Sequence, residues 1–202
     1  MKRISTSPTE SRRTRTDRIV GRYSLLPVIL VMALLCSASI LTPPKSAELD
    51  KKVTQATADL FAKTPTAKQL STVAKGVLVF PSVKKAGFMI GGQYGEGALR
   101  IGGKTTGYYK TTAASFGLQA GGQKFGYAMF FMNNNALEYL KKSDGWEIGV
   151  GPTLVVVDEG VARSLTTSSA RSDIYVFFFS QKGLMGGLGI QGSKISQFNP
   201  DK

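Results

Sequence analysis

Two glycine-rich stretches carry the residue types that hold phosphate in other proteins. Ala98-Leu-Arg-Ile-Gly-Gly-Lys-Thr105 fits a relaxed Walker A pattern, and Leu154-Val-Val-Val-Asp-Glu159 resembles a Walker B strand. A P-loop works because backbone N–H groups and a helix N-terminus surround the phosphates. Here Lys104 is followed by Thr-Thr-Gly-Tyr-Tyr-Lys-Thr-Thr, which is poor helix material, and Ala98 replaces the first glycine. The expectation is therefore a hairpin turn at Lys104 and a second turn at Asp158-Glu159-Gly160, with nucleotide binding through 98–105 kept as a minor alternative. Gly187-x-Gly189-x-x-Gly192 copies a dinucleotide fingerprint. That fingerprint needs a following helix and an acidic residue about 20 positions on, so the stretch reads as a glycine-rich strand pair.

Other chemistries lose their residues. Histidine is absent and cysteine occurs once, as Cys36 in an apolar run near the N-terminus. A Ser-His-Asp or Cys-His nucleophile system is thereby excluded, as are a disulfide framework and a zinc cluster. No cofactor or metal is expected, and the chain reads as non-enzymatic.

Charge points to a different kind of site. The 202-residue chain carries a formal net charge of +13. Residues 1–24 hold seven basic and two acidic residues, and the remainder holds nineteen basic against eleven acidic, leaving a body of +8. A basic body attracts anionic surfaces. The candidate lipid-contacting residues are lysines beside apolar groups: Lys51 and Lys52 on the first amphipathic segment, Lys84 and Lys85 in a turn between Phe80 and Phe88, and Lys141 and Lys142 between Tyr139 and Trp146. Each lysine near an anionic surface contributes about 1 kcal/mol. The bland alternative is that these are solvated lysines and that the apolar stripe is core. Phe177-Phe-Phe179 reads as a buried strand. The basic residues are spread along the body, so nucleic acid is not an expected partner.

Periodicity supplies the elements that position these lysines. Leu49, Val53, Ala56, Leu60 and Phe61 follow helical spacing and predict a helix over 46–63, with Ser46 as its cap. Thr64-Pro65 interrupts it, and Thr66…Gln69 reads as the capping box of a second short helix. From Gly76 the period changes. Val77-Leu-Val-Phe80 ends at Pro81, and further strands are expected at 86–92, 97–102, 106–111, 114–121, 124–131, 146–157, 173–180, 184–190 and 192–198. One later helix begins at Asn133. Most of the 23 glycines follow position 75, and Gly91-Gly92, Gly121-Gly122 and Gly186-Gly187 fall in or beside strands, where glycine marks bends or close backbone approach. The expected fold class is α+β, mostly antiparallel β: a curved, glycine-rich or barrel-like sheet packed with two N-terminal helices and one short later helix.

The N-terminus reads as an export segment. A basic leader enters Leu25-Leu-Pro-Val-Ile-Leu-Val-Met-Ala-Leu-Leu-Cys36, followed by small residues that suit cleavage after Ala38. Lipidation at Cys36 and retention as an uncleaved anchor are the competing readings. Residues 1–47 are assigned to leader and signal or anchor, residues 48–202 to the folded domain, and the location is periplasmic or membrane-anchored facing the periplasm.

Several blocks in order resemble the SYLF domain: Ala74-Lys-Gly-Val-Leu-Val-Phe-Pro-Ser82, Ala86-Gly-Phe-Met-Ile-Gly-Gly-Gln-Tyr-Gly-Glu-Gly97, Gly107-Tyr-Tyr109, Ser115-Phe-Gly-Leu-Gln-Ala-Gly-Gly-Gln123, Asp144-Gly-Trp-Glu-Ile-Gly149 and Gly183-Leu-Met-Gly-Gly-Leu-Gly189. The resemblance spans about residues 48–198. It implies lipid binding, since eukaryotic members bind phosphoinositide membranes and associate with actin, while bacterial members are mostly exported. The export segment argues against actin as a partner here. The resulting expectation is an exported lipid-binding or membrane-associated module whose partner is an anionic lipid surface. The alternative is a structural or assembly protein of the envelope, its protein partner unknown.

Overall fold

The computed structural model describes residues 43–183, 190 and 192–202. The leader, Cys36 and the expected strand at 184–190 therefore lie wholly or almost wholly outside the described residues. Helix α1 (Lys45–Lys63) and helix α2 (Pro65–Ser71) open the domain. Two long strands follow, β1 (Gly76–Ile101) and β2 (Lys104–Phe131), then α3 (Asn134–Lys142), β3 (Trp146–Glu147), β4 (Leu154–Val157), α4 (Glu159–Ser164), β5 (Ile174–Gly183) and β6 (Lys194–Phe198). The sheet runs β3-β6-β2-β5-β4, with β1 paired to β2. Every pairing is antiparallel except β4 with β5. The α+β class with a curved, mostly antiparallel sheet is thus observed.

The expected strands at 86–92 and 97–102 merge into β1, and those at 106–111, 114–121 and 124–131 merge into β2. Their glycines stay inside the ladder as irregularities instead of ending it. Register shifts fall between Phe80 and Val83 and between Gly87 and Met89. The first also corrects the reading of Pro81 as a strand end, because a bulge removes the need for the N–H that proline lacks. The expected strand 146–157 splits into β3 and β4 around Gly149 and Gly151, both at positive φ. The connection from β4 to its parallel neighbour β5 contains α4, so Asp158-Glu159-Gly160 begins a helix and not a turn. Asp158 caps it, its carboxylate accepting from the Val161 amide at 2.8 Å.

Two of the expected caps are corrected as well. Ser46 lies inside α1, and its amide donates to the Asp201 carboxylate at 2.9 Å, so the C-terminal segment closes the helix start. Thr64, not Thr66, precedes α2, with Pro65 at its first position, and the Thr66 hydroxyl donates to the Ala162 carbonyl at 3.1 Å. Asn133 does cap α3, accepting from the Ala136 amide at 2.9 Å.

Strand alternation sorts β2 between two cores. Phe125, Tyr127, Met129 and Phe131 face one, beside Leu78, Phe80, Trp146, Ile195 and the α3 residues Leu137 and Leu140. Ala128 and Phe130 face the other, beside Leu49, Val53 and Leu60 of α1, Leu70 of α2, and Phe177. The hairpin formed by β1 and β2 curls towards the first core. A Cβ on Gly95 would lie 2.6 Å from Val83 Cγ2, and one on Gly97 would overlap the Val79 carbonyl and the Phe80 ring. The two halves of one strand therefore meet across the concave side.

Gly97→Ala is expected to lower stability by about 1–3 kcal/mol, because the obstructing atoms are backbone and a buried ring. Gly92→Ala, with no atom nearer than 3.9 Å to its Cβ, serves as the neutral comparison. Equal urea midpoints for the two variants would contradict the close-approach argument.

The Asp173 carboxylate accepts from the Thr153 amide (2.8 Å) and hydroxyl (2.7 Å) and from Asn133 Nδ2 (2.6 Å). These bonds, the Thr153 hydroxyl first, hold its pKa below the usual value. A depressed folded pKa means that the stabilisation is complete above the ordinary carboxylate range and is lost as pH falls through the folded value. Melting temperatures taken from about pH 5 down to about pH 2 should thus fall more steeply for the native protein than for Asp173→Asn.

Candidate anionic-surface site

The α1 lysines are positioned by a polar clip beneath them. Thr105 and Tyr108 of β2 donate to the two Asp50 carboxylate oxygens at 2.9 and 3.0 Å. Arg100 of β1 donates to the Asp50 carbonyl at 3.1 Å and to the Thr54 hydroxyl at 2.6 Å. Burial first, and then the bond to Asp50, raises the Tyr108 pKa. Lys51 and Lys52 project from α1 into solvent, and Lys52 pairs with Glu48 at 2.6 Å.

The same clip accounts for the Walker-like stretch. Ala98 is buried, Arg100 and Thr105 hold α1, and Gly102-Gly103 form the two-residue hairpin turn at positive φ. Lys104 opens a strand paired with Ile101, so the hairpin expectation holds and no helix N-terminus stands behind the lysine.

The remaining lysines fall differently from their expected arrangement. Lys84 and Lys85 lie within β1, in register with Lys124 and Gln123, and not in a turn. Neighbouring strand residues point to opposite faces, so the pair separates. Lys84 is exposed on the convex face, whereas Lys85 is half-buried on the side of Val83 and buried Gln123. Lys141 and Lys142 occupy the last turn of α3, where both reach Glu138, at 3.5 and 3.6 Å. Trp146 is buried and donates to the Val150 carbonyl at 2.8 Å, so it offers nothing to a membrane, while Tyr139 is 39% exposed.

The structure also assembles a group that sequence reasoning missed. Lys84 of β1 is directly opposite Lys124 of β2, and Lys124 is directly opposite Lys182 of β5. All three are exposed. They lie on the convex face, the one that carries α1 and α2 further along the strands, and none has a carboxylate partner among the described side chains. The row is invisible in the sequence because 40 and 58 positions separate its members, although the dipeptides Gln123-Lys124 and Gln181-Lys182 hint at equivalent places.

The concave side is polar in part. Gln93 donates to Ser193 at 3.3 Å, but the Thr111 and Tyr127 hydroxyls and the Gln123 carbonyl oxygen are buried without partners among the described residues. Burial pushes the Tyr127 phenol up. Such atoms require ordered water or another polar group to complete them. An open groove of about 820 Å³ lies elsewhere, lined by Lys63, Pro65, Val156, Phe177, Phe178 and Gln181 among others. Among the described residues no acidic or cysteine cluster suits a metal ion, and no helix is long and apolar enough to cross a membrane.

Asp50→Ala removes the acceptor of two hydroxyl donors and is expected to destabilise by about 1–3 kcal/mol. Amide exchange should accelerate first in α1; an unchanged α1 with a loosened β5 would contradict the clip.

A family model described as Ysc84, Las17-binding protein actin regulator, matches residues 112–200, from the middle of β2 to just past β6. No curated protein matches the chain. The matched segment includes Lys124 and Lys182 together with the β2, β5 and β6 ladders on which the curl is built. Sequence blocks and matched segment agree: residues 112–200 match the SYLF (Ysc84) family model, consistent with the resemblance read from the sequence.

Proposed function

We propose that this protein is a non-enzymatic module that is exported to the bacterial envelope and binds anionic membrane surfaces. One observation carries the reading: the folded part bears +8, and six of its eleven acidic residues accept hydrogen bonds from neutral donors. Asp50, Asp59, Glu96, Asp158, Asp173 and Asp201 accept from hydroxyls, amides or backbone N–H groups. The ion pairs among described side chains number three, each within a single helix. Most lysine charge therefore reaches solvent uncompensated, and such a field concentrates near anionic lipid. The family match supports the same reading, and so do the basic and apolar leader residues.

A second reading, envelope assembly through protein contacts, is favoured by the free edge of β4, where Val156 is 42% exposed, and by the family description, which names a protein ligand.

One co-sedimentation experiment addresses both. The full chain is mixed with phosphatidylcholine vesicles, with vesicles containing about one-third phosphatidylglycerol, or with actin filaments. The basic leader residues also favour anionic vesicles, so the comparison is repeated with the seven basic residues of 1–24 replaced by glutamine, and the difference that survives reports the body. Recovery with anionic vesicles should exceed that with neutral ones by about tenfold or more at low salt, and the gap should close near 0.5 M salt, where screening is on the order of a few ångströms. Equal recovery on both vesicles would sink the lipid reading, and sedimentation with filaments alone would favour protein contacts over lipid while counting against the envelope location.

A further inference from the structure

We infer that the protein docks on anionic bilayers through one end of its convex face, with the row Lys84–Lys124–Lys182 at the level of the lipid phosphates and Ile90 directed into the apolar boundary. The inference rests on the membrane reading above and assigns the surface that performs it.

Three observations converge on this end. The first is the row itself. Like charges directly opposite one another on adjacent strands are destabilising, yet here three lysines occupy successive strands in register. Among the described strands, the β4–β5 pairing has ended beyond Val157 and β1 pairs only with β2, so the row spans all three strands present at that level. Neighbouring strands are about 4.8 Å apart, which places the backbones of the three lysines within about 10 Å, and their side chains can reach adjacent phosphates.

The second is the bend in the hairpin. At the register shift between Gly87 and Met89 the backbone folds so tightly that a Cβ on Gly87 would overlap Gly91. Ile90 projects from this bend and is 67% exposed, the most exposed of the large apolar residues described. On the same face come exposed Ala86 and Gly92 and then Tyr94, 48% exposed. A branched apolar side chain held out at a glycine-shaped bend, beside uncompensated lysines, has the composition of an interfacial anchor.

The third is where negative charge enters. Glu96 lies two residues beyond Tyr94, accepts from its hydroxyl at 2.6 Å, and stands opposite Lys110. That hydrogen bond, the largest cause, raises the Tyr94 pKa to about 12. Glu96 thus bounds the patch, while the strand segments that carry the row (82–87, 121–126 and 178–183) contain no acid. A soluble polyanion would use the lysines without Ile90, whereas a bilayer uses both.

The test compares full-length variants on vesicles containing one-third phosphatidylglycerol. Lys84→Gln/Lys124→Gln/Lys182→Gln removes the row; Lys75→Gln/Lys104→Gln/Lys202→Gln removes the same charge from other exposed positions. At about fivefold per lysine near the surface, the row variant should lose on the order of 100-fold in partitioning, and the control far less. Its melting temperature should equal or exceed that of the native protein, since cross-strand repulsion is relieved. Ile90→Asp should weaken vesicle binding without changing retention on a soluble polyphosphate. Equal losses from the two triple variants would overturn the assignment while leaving general membrane binding intact. An Ile90→Asp variant that binds vesicles normally would overturn it in favour of a soluble polyanion. Equal binding of the native protein to neutral and anionic vesicles would instead remove the membrane reading itself.

Discussion

The close passage of β1 over itself is the constraint on which the rest of the structure depends. Gly95 and Gly97 approach Val83, Val79 and Phe80 where any side chain would collide with backbone or ring. A flat hairpin of this length would leave Phe80, Tyr127 and Leu99 on an open face. Curled, it buries all three and creates a concave interior that α3, Trp146 and Ile195 close. The same curl produces a convex face, which α1 and α2 cover along part of its length and leave bare at the far end. Sheet curvature thus decides which lysines are buried beneath neighbours and which meet solvent.

Electrostatic organisation follows from what the acids do. Asp50 secures α1, Asp158 starts α4, Asp173 joins the entry to β5 with the start of α3, and Asp201 closes the front of α1. In each case a carboxylate meets a neutral donor, because hydroxyl and amide groups at helix ends and strand junctions need a strong acceptor. Few carboxylates remain to neutralise lysines. A positive surface is therefore a by-product of the way the fold is fastened, and selection need only have arranged where it is densest.

The Walker-like stretch shows how a motif is defined by its scaffold. Its glycines make a two-residue turn, its arginine and threonine hold a helix, and its lysine starts an antiparallel strand. Phosphate recognition by a P-loop requires consecutive N–H groups converging at the head of a helix, and a strand directs successive N–H groups to opposite sides.

By itself the sequence determined the class of fold, the helix over 46–63 and the one from Asn133, the glycine punctuation of the sheet, and the resemblance that the family model matches over residues 112–200. These rest on local periodicity and on residue types whose backbone preferences act within a few positions. It also determined the excess of positive charge. Tertiary structure decided what local pattern does not encode: that glycines lie inside two long strands instead of between short ones, that Asp201 and not Ser46 serves the start of α1, and that Asp158 begins a helix on a parallel crossover. It also separated Lys84 from Lys85 and joined Lys84 to Lys124 and Lys182, since alternation divides neighbours in the chain while cross-strand register unites residues far apart in it.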